Sequence, residues 1–283
     1  MKISKTKQQC YLCKSFETTI VVVGDIKVTK CRTCEFQYIE DSKEILGDEW
    51  FSEYYAKNRN DLNTELNILR ESQYKIDAKF LSQYLRKNDS ILDVGCSHGG
   101  FLSAITKMKD NINCLGIDID RSAIETAKNK FPDIAKFEEK NLLEIDIKNK
   151  FDLIIFRGTL QYLGDKLHES MEHVHLITKP DSKVIIFSLP STDSFIYYLV
   201  RENWPLFHPE MSLMFNENSI KYLAKKYRFK IERLEYPYIN EVYSDRDSDF
   251  KRVKAMIQQK NYTQSIPFIG SIMRVVLSKD GIN

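Results

Sequence analysis

From residue 90 onward, two apolar patterns alternate along the chain. The runs SILDVGC (90–96), NCLGIDID (113–120), FDLIIF (151–156) and SKVIIFSL (182–189) are short and nearly continuous, as expected of strands buried on both faces. Between them apolar residues recur at helical spacing: Phe101, Leu102, Ile105 and Met108, then Ile124, Ala127 and Phe131, then Leu167, Met171 and Val174. Ser122 and Glu125 stand at capping-box spacing at the start of the second helix. This alternation predicts an α/β domain, a parallel sheet with helices on both faces.

The chain before residue 90 follows other patterns. TTIVVVGDIKVTK (18–30) sets β-branched runs on both sides of Gly24 and Asp25, which predicts a hairpin closed by a type II′ turn. EWFSEYYAKN (49–58) is rich in aromatics, and the helix expected over 64–85 carries Leu69, Ile76 and Phe80 on one face. Tyr54 and Tyr55 read as packing between two modules, with a lid over a ligand pocket as the alternative. The expected division is a small module over 1–45, a helical linker over 46–85 and a large domain over 86–283.

Composition narrows the classes. With 42% hydrophobic and 29% charged residues the 283-residue chain is globular, not disordered. Lys plus Arg is 42 and Asp plus Glu is 40, so a net charge of +2 exerts no general pull on nucleic acid or anionic membrane. The N-terminal stretch MKISKTKQQCYLCK lacks the apolar core of a signal peptide, and no apolar run is long enough to span a bilayer. A cytoplasmic protein is expected.

Four of the six cysteines form a pattern. Cys10, Cys13, Cys31 and Cys34 read CxxC, a gap of 17 residues, then CxxC. Two such pairs supply the four-thiolate shell that zinc prefers, with no open position for catalysis. With the hairpin between them this is a zinc-ribbon layout, and the expected metal is structural. Cys96 and Cys114 read as small buried apolar residues.

LDVGCSHGGFL (92–102) carries the chemistry of the large domain. Gly95, Ser97 and Gly99 fall in the turn after the first strand, where a bare backbone lets a ligand approach closely. Asp118 ends the second strand, 19 residues beyond Gly99, placed to accept hydrogen bonds from two ribose hydroxyls. Asp93 lies directly before the loop and would repel a pyrophosphate, and the spacing is D-x-G-x-S-x-G in place of G-x-G-x-x-G. A nucleoside ligand without phosphates fits better than a dinucleotide.

On these residues, 86–283 resembles the class I S-adenosylmethionine-dependent methyltransferases, of the type found among bacterial sugar and small-molecule enzymes. LDVGCSHGGFL is similar to the family's first motif, with Ser97 and His98 at positions more often glycine and a small polar residue. GIDID matches at the ribose acid Asp118, and FEEKNLLEI (137–145) resembles the adenine-contacting segment, with Asn141 where Asp is frequent. FDLIIFRGTLQYLGD (151–165) resembles the fourth-strand motif, with Tyr162 where histidine is common. FKIERLEY and SIMRVVLSK resemble the closing antiparallel pair of the family's sheet.

The resemblance implies a Rossmann-like, seven-stranded, mostly parallel sheet. It implies S-adenosylmethionine held by Asp93, Gly95, Ser97, Gly99, Asp118, Ile119, Asn141, Leu142 and Arg157. The cysteine module resembles zinc ribbons that precede methyltransferase domains in bacterial sugar-modification and surface-polysaccharide pathways. An O-methyltransferase acting on a nucleotide-linked or phosphorylated sugar is the expectation that follows.

Methylating a hydroxyl calls for a base, and histidine suits the task. His208 lies in NWPLFHPEMSLMF (203–215), within the first of two acceptor-site insertions, about 195–218 and 236–268. It is the expected base, with Tyr162 beside it and Gln161 orienting the acceptor; a loop anchor is the alternative role of His208. His168, His173 and His175 read as surface or capping residues on the helix after the fourth strand. Two other readings stay open: an RNA methyltransferase with a zinc module, and a non-catalytic binding protein on the same fold. The first 45 residues carry eight Lys or Arg against six Asp or Glu, little excess for gripping phosphates.

Overall fold

The computed structural model describes residues 3–6, 8–23, 26–39, 65–200, 204, 206, 211–237, 246–260 and 269–279. Four N-terminal strands, β1 (Ile3–Thr6), β2 (Thr18–Val23), β3 (Ile26–Cys31) and β4 (Gln37–Ile39), are followed by helix α1 (Glu65–Leu81). Alternation then begins: β5 (Ser90–Val94), α2 (Gly100–Thr106), β6 (Asn113–Asp118), α3 (Arg121–Lys130), β7 (Lys136–Glu139), β8 (Phe151–Arg157), α4 (Leu167–Ile177) and β9 (Thr178–Pro190). The chain continues through α5 (Phe195–Val200), β10 (Leu213–Met214), α6 (Glu217–Lys226), β11 (Phe229–Glu235), α7 (Arg246–Gln259) and β12 (Ile272–Lys279).

The main sheet has the order β11-β12-β9-β8-β5-β6-β7. Strands β5 to β9 run parallel and β12 is antiparallel to both neighbours, so the expected seven-stranded, mostly parallel sheet is present. Strand alternation divides the core in two. Leu92, Val94, Ile154, Phe156, Val184 and Ile186 pack with α4 and α6 through Met171, Val174, Ile220 and Leu223. Ile91, Leu153, Ile155, Ile185 and Phe187 face the other way, onto Ala78 and Leu81 of α1, Leu102 and Ile105 of α2, and Ile124 and Ala127 of α3. Because β5 lies between β6 and β8, strand order reverses there, and the crevice for a ligand opens at its carboxyl end.

Two local expectations need amendment, and a third lies partly outside the described residues. The cap of α3 is Asp120, not Ser122: its Oδ1 accepts from the N–H groups of Ser122 (2.8 Å) and Ala123 (3.0 Å). A short carboxylate in extended backbone reaches both amides, and Glu125 instead pairs with Arg121. On α1 the most buried residues are Asp77, Ala78 and Leu81. Ile76 and Phe80 are partly buried against different clusters, and the Leu69 side chain lies outside the described residues. The hairpin forms with Val23 opposite Ile26, while its turn at Gly24 and Asp25 lies outside the described residues.

The N-terminal sheet takes its fifth strand from the large domain. β10 pairs antiparallel with β4, matching Leu213 to Tyr38 and Met214 to Gln37, to give the order β1-β2-β3-β4-β10. Among the described residues no helix is long and apolar enough to cross a membrane.

Candidate active site

β5 delivers Asp93 to the crevice and the chain turns through the glycine loop. Gly95 and Gly99 adopt φ of +75° and +74°, the left-handed region that glycine enters without strain. A Cβ on Gly95 would meet Thr159 Oγ1 at 2.4 Å, and one on Gly99 would meet Phe137 Cζ at 2.7 Å. Ser97 lies between them at φ +49°, its Oγ 3.0 Å from Nδ1 of His98. Asp118 ties this loop to the end of β6: Oδ2 accepts from the Ser97 N–H and Oδ1 from the Asp120 N–H, both at 2.9 Å. Each oxygen keeps a lone pair for a further donor. Burial pushes the Asp118 carboxyl above its ordinary pKa, against the pull of these amides.

Asp93 is 1% exposed and its Oδ1 has no hydrogen-bond partner among the described residues. Burial pushes its pKa up to about 7, with Arg157 drawing it down and Asp118 adding repulsion. A buried carboxylate oxygen with nothing to bond is an opening for a donor from a ligand. Arg157, at the end of β8, ion-pairs through Nε with Asp77 of α1 at 3.2 Å and lies over the Tyr74 ring, 4.4 Å from its centre. Arg274 of β12 reaches the same Asp77 at 3.6 Å. Sequence reasoning missed Asp77 and Tyr74: their partners lie on other elements, and an acid in a helix carries no sign of burial.

The other expected cofactor residues spread along the same strand ends. Ile119 is 60% exposed beside Asp118, an apolar surface open to a flat ring. Asn141 caps the short 3₁₀ turn Leu142–Glu144, its Oδ1 accepting from the Leu143 N–H at 3.0 Å while the Glu144 carboxylate accepts from the Asn141 N–H. Leu142 is buried in the core with Leu92 and Ile117.

Of the residues expected at the acceptor, Gln161 and Tyr162 belong to the 3₁₀ turn Leu160–Tyr162 after β8. Gln161 is 5% exposed, and its Oε1 has no hydrogen-bond partner among the described residues. Tyr162 packs against a cluster holding Tyr197, Trp204, Met211 and Met214. His208, Tyr54 and Tyr55 lie outside the described residues.

The four expected metal ligands come together. Their sulfurs all lie within 4.8 Å of one another, with Cys10 to Cys34 at 3.6 Å and Cys13 to Cys31 at 3.5 Å. Tetrahedral thiolates at zinc stand ~3.8 Å apart, from Zn–S bonds of about 2.3 Å, so the donor set fits that ion. Each knuckle turns its amides onto sulfur, Cys13 to Cys10 and both Thr33 and Cys34 to Cys31, and ends in a left-handed residue, Lys14 or Glu35. Cys96 and Cys114 are buried, as expected of apolar fillers.

His168 departs from its expected surface role. It is half-buried at the seam between the knuckle and the domain, its Nε2 donating to the Tyr11 carbonyl at 2.7 Å and its Nδ1 facing the Tyr227 hydroxyl. Burial and nearby Lys226 and Lys14 hold its pKa below the ordinary histidine value.

A family model described as a methyltransferase domain matches residues 85–261, more than half of the chain. The 235L protein of Invertebrate iridescent virus 6, which carries a methyltransferase name, is 26% identical over 67% of this chain and 74% of its own length. Malonyl-[acyl-carrier protein] O-methyltransferase 2 of Ilyobacter polytropus is 28% identical over 63% of this chain and 69% of that enzyme. Other curated relatives are matched over 50% and 54% of their length. Among solved structures, magnesium protoporphyrin IX methyltransferase from Synechocystis PCC 6803 superposes with a TM-score of 0.59 at 12% identity, over 84% of this chain and all of that one. The glycine loop, Asp118 and every strand of the main sheet except β12 thus lie within the matched region, and the chain belongs to the methyltransferase-domain family, the class I S-adenosylmethionine-dependent methyltransferases.

Proposed function

We propose that this methyltransferase acts on a hydroxyl of a nucleotide-linked or phosphorylated sugar, in surface-polysaccharide biosynthesis, with one structural zinc in its N-terminal ribbon. The observation that carries the acceptor reading is the buried Oε1 of Gln161, without a partner among the described residues, beside the aromatic group of Tyr162, Tyr197 and Trp204. A neutral amide acceptor next to aromatic faces suits a polyol: a hydroxyl donates to Oε1 while apolar ring faces of the sugar pack on the aromatics.

The residues at the strand ends fit S-adenosylmethionine, which supplies an electrophilic methyl group on a sulfonium when bound. In this reading the lone pairs left on Asp118 accept from the ribose hydroxyls, and Ile119 lies against the adenine. Asn141, with Oδ1 spent on its cap, offers its amide N–H to a ring nitrogen. Gly95, Ser97 and Gly99 let the backbone close on the methionyl part. Asp93 Oδ1 takes an N–H from its ammonium, and Arg157 faces its carboxylate while Asp77 fixes the guanidinium. Leu142 acts from the core, backing the adenine segment.

His208 is the proposed base, removing the hydroxyl proton as the oxygen attacks in line, and Tyr162 orients the acceptor. The test is transfer of label from S-adenosylmethionine to a panel of nucleotide-linked sugars and to RNA. Label in the sugar fraction, with turnover by His208→Asn down about 10²–10⁴ and cofactor affinity intact, is the expected result. Label appearing in RNA and falling steeply with salt overturns the sugar reading.

A further inference from the structure

The ribbon and the acceptor side share one piece of sheet. Ile39 N–H donates to Ser212 O at 2.9 Å beside the β4–β10 ladder, and Ser212 Oγ donates to the carbonyl of Gln161 at 3.4 Å. One residue beyond β10, Phe215 bridges Ser191 and accepts from the Thr192 N–H, at the end of β9. Gln37 of β4 is buried, and its Oε1 accepts from the Tyr197 hydroxyl at 2.8 Å. Val28 and Ile39 of the ribbon lie in the same apolar cluster as Tyr162, Tyr197 and Trp204.

The metal knuckle is fastened to the domain from the other side. The peptide carbonyls of Tyr11 and Leu12, both between Cys10 and Cys13, accept from His168 Nε2 (2.7 Å) and Lys226 Nζ (3.3 Å). Phe36 packs on Phe215 with ring centres 5.1 Å apart. The cofactor side is built differently. Behind the glycine loop, Cys96, Phe101, Leu102 and Phe137 pack in a cluster that contains no described ribbon residue, and the knuckle shares with the strands bearing Asp93 and Asp118 only the extended core cluster of Leu92, Val94 and Ile117 on the opposite face of the sheet.

We propose that the four-cysteine site is a latch for the acceptor side alone. With metal bound, the ribbon holds the Gln161–Tyr162 turn and the Trp204 cluster in working position. Gln37 and Ser212 are the positioning residues, and the cofactor crevice from Asp93 to Asp118 stands independently. The physical basis is that metal binding and local folding are one free energy in small four-thiolate modules. Here the folded knuckle is what β4 and, through it, β10 lean on. The inference rests on the zinc and acceptor-side readings above.

The experiment needs no acceptor. The full-length protein carrying Trp50→Phe, so that Trp204 alone reports, is compared before and after zinc is withdrawn with excess phenanthroline. Metal content, amide hydrogen exchange, tryptophan emission and S-adenosylhomocysteine binding by calorimetry are followed. On zinc loss, exchange should rise by at least about tenfold in 159–163 and 211–216 and Trp204 emission should shift to the red. Peptides of β5 and β6 stay protected and affinity for S-adenosylhomocysteine holds within about twofold. Gln37→Leu with zinc retained should reproduce the Trp204 shift without releasing metal.

Zinc loss with no change in 211–216 refutes the latch and leaves the zinc assignment standing. A parallel loss of S-adenosylhomocysteine affinity also refutes it, because the cofactor side would then depend on the ribbon. Absence of metal from the purified protein overturns both the latch and the zinc reading. Failure to bind S-adenosylhomocysteine with zinc in place overturns the cofactor assignment instead.

Discussion

Asp93 is a buried carboxyl in the core, and in the proposed cofactor reading that same group binds the ligand. Burial in an α/β core raises its pKa to about 7 from a reference of 3.8. The fold therefore favours the protonated acid: its contribution to stability is fully present below pH 3.8 and is lost as pH rises through about 7. Asp93→Asn, isosteric and neutral, should flatten the fall in melting temperature over that window. A net cationic ligand reverses the preference. Affinity for S-adenosylmethionine should climb as pH rises through 7 in the native protein and stay low and flat in Asp93→Asn, as calorimetry across pH 5.5–8.5 would show. A native affinity independent of pH would place Asp93 away from the ligand. Asp93, Gly95, Gly99 and Asp118 were legible in the sequence because strand end, loop and second strand end follow one another closely. The pairing of Arg157 with Asp77, 80 residues apart, was not.

At the scale of elements, periodicity identified β5, β6, β8 and β9 because each apolar run is local and buried on both sides, whereas β7, KFEE at the edge of the sheet, has no apolar run to show. Periodicity failed where a neighbour in space decides. The two-residue β10 has too few positions to show a period and exists as a strand because β4 offers an open edge. On α1 the predicted face was displaced because Asp77, polar in any hydropathy pattern, is drawn inward by two arginines. At α3 the capping-box spacing pointed to Ser122, and the carboxylate two residues earlier, at the strand exit, took the cap instead. Asp120→Ala should accordingly destabilise the protein by about 1 kcal/mol in urea unfolding, while Ser122→Ala costs a small fraction of that. Equal losses in the two variants would restore Ser122 as the cap.

At the scale of the molecule, the helix that precedes the sheet is joined to it by charge. Asp77, fully buried, meets Arg157 of β8 and Arg274 of β12, and Arg274 in turn pairs with Glu235 of β11. Half-exposed Arg233 also pairs with Glu235, so three arginines share two acids, and the buried members Asp77, Arg157 and Arg274 are each matched by an opposite charge. Removing one acid leaves a guanidinium charge uncompensated, so Asp77→Asn should cost about 3–5 kcal/mol in urea unfolding. A second consequence separates this network from a merely structural contact. Arg157 already draws the Asp93 pKa down, and with Asp77 neutralised its field on Asp93 is less compensated. The pH limb of cofactor affinity should then move to lower pH in Asp77→Asn. Asp77→Ala should shift it in the same direction, although it removes the hydrogen bond as well as the charge. Loss of stability with the limb unmoved would mean that Asp77 holds α1 in place without tuning the cofactor site.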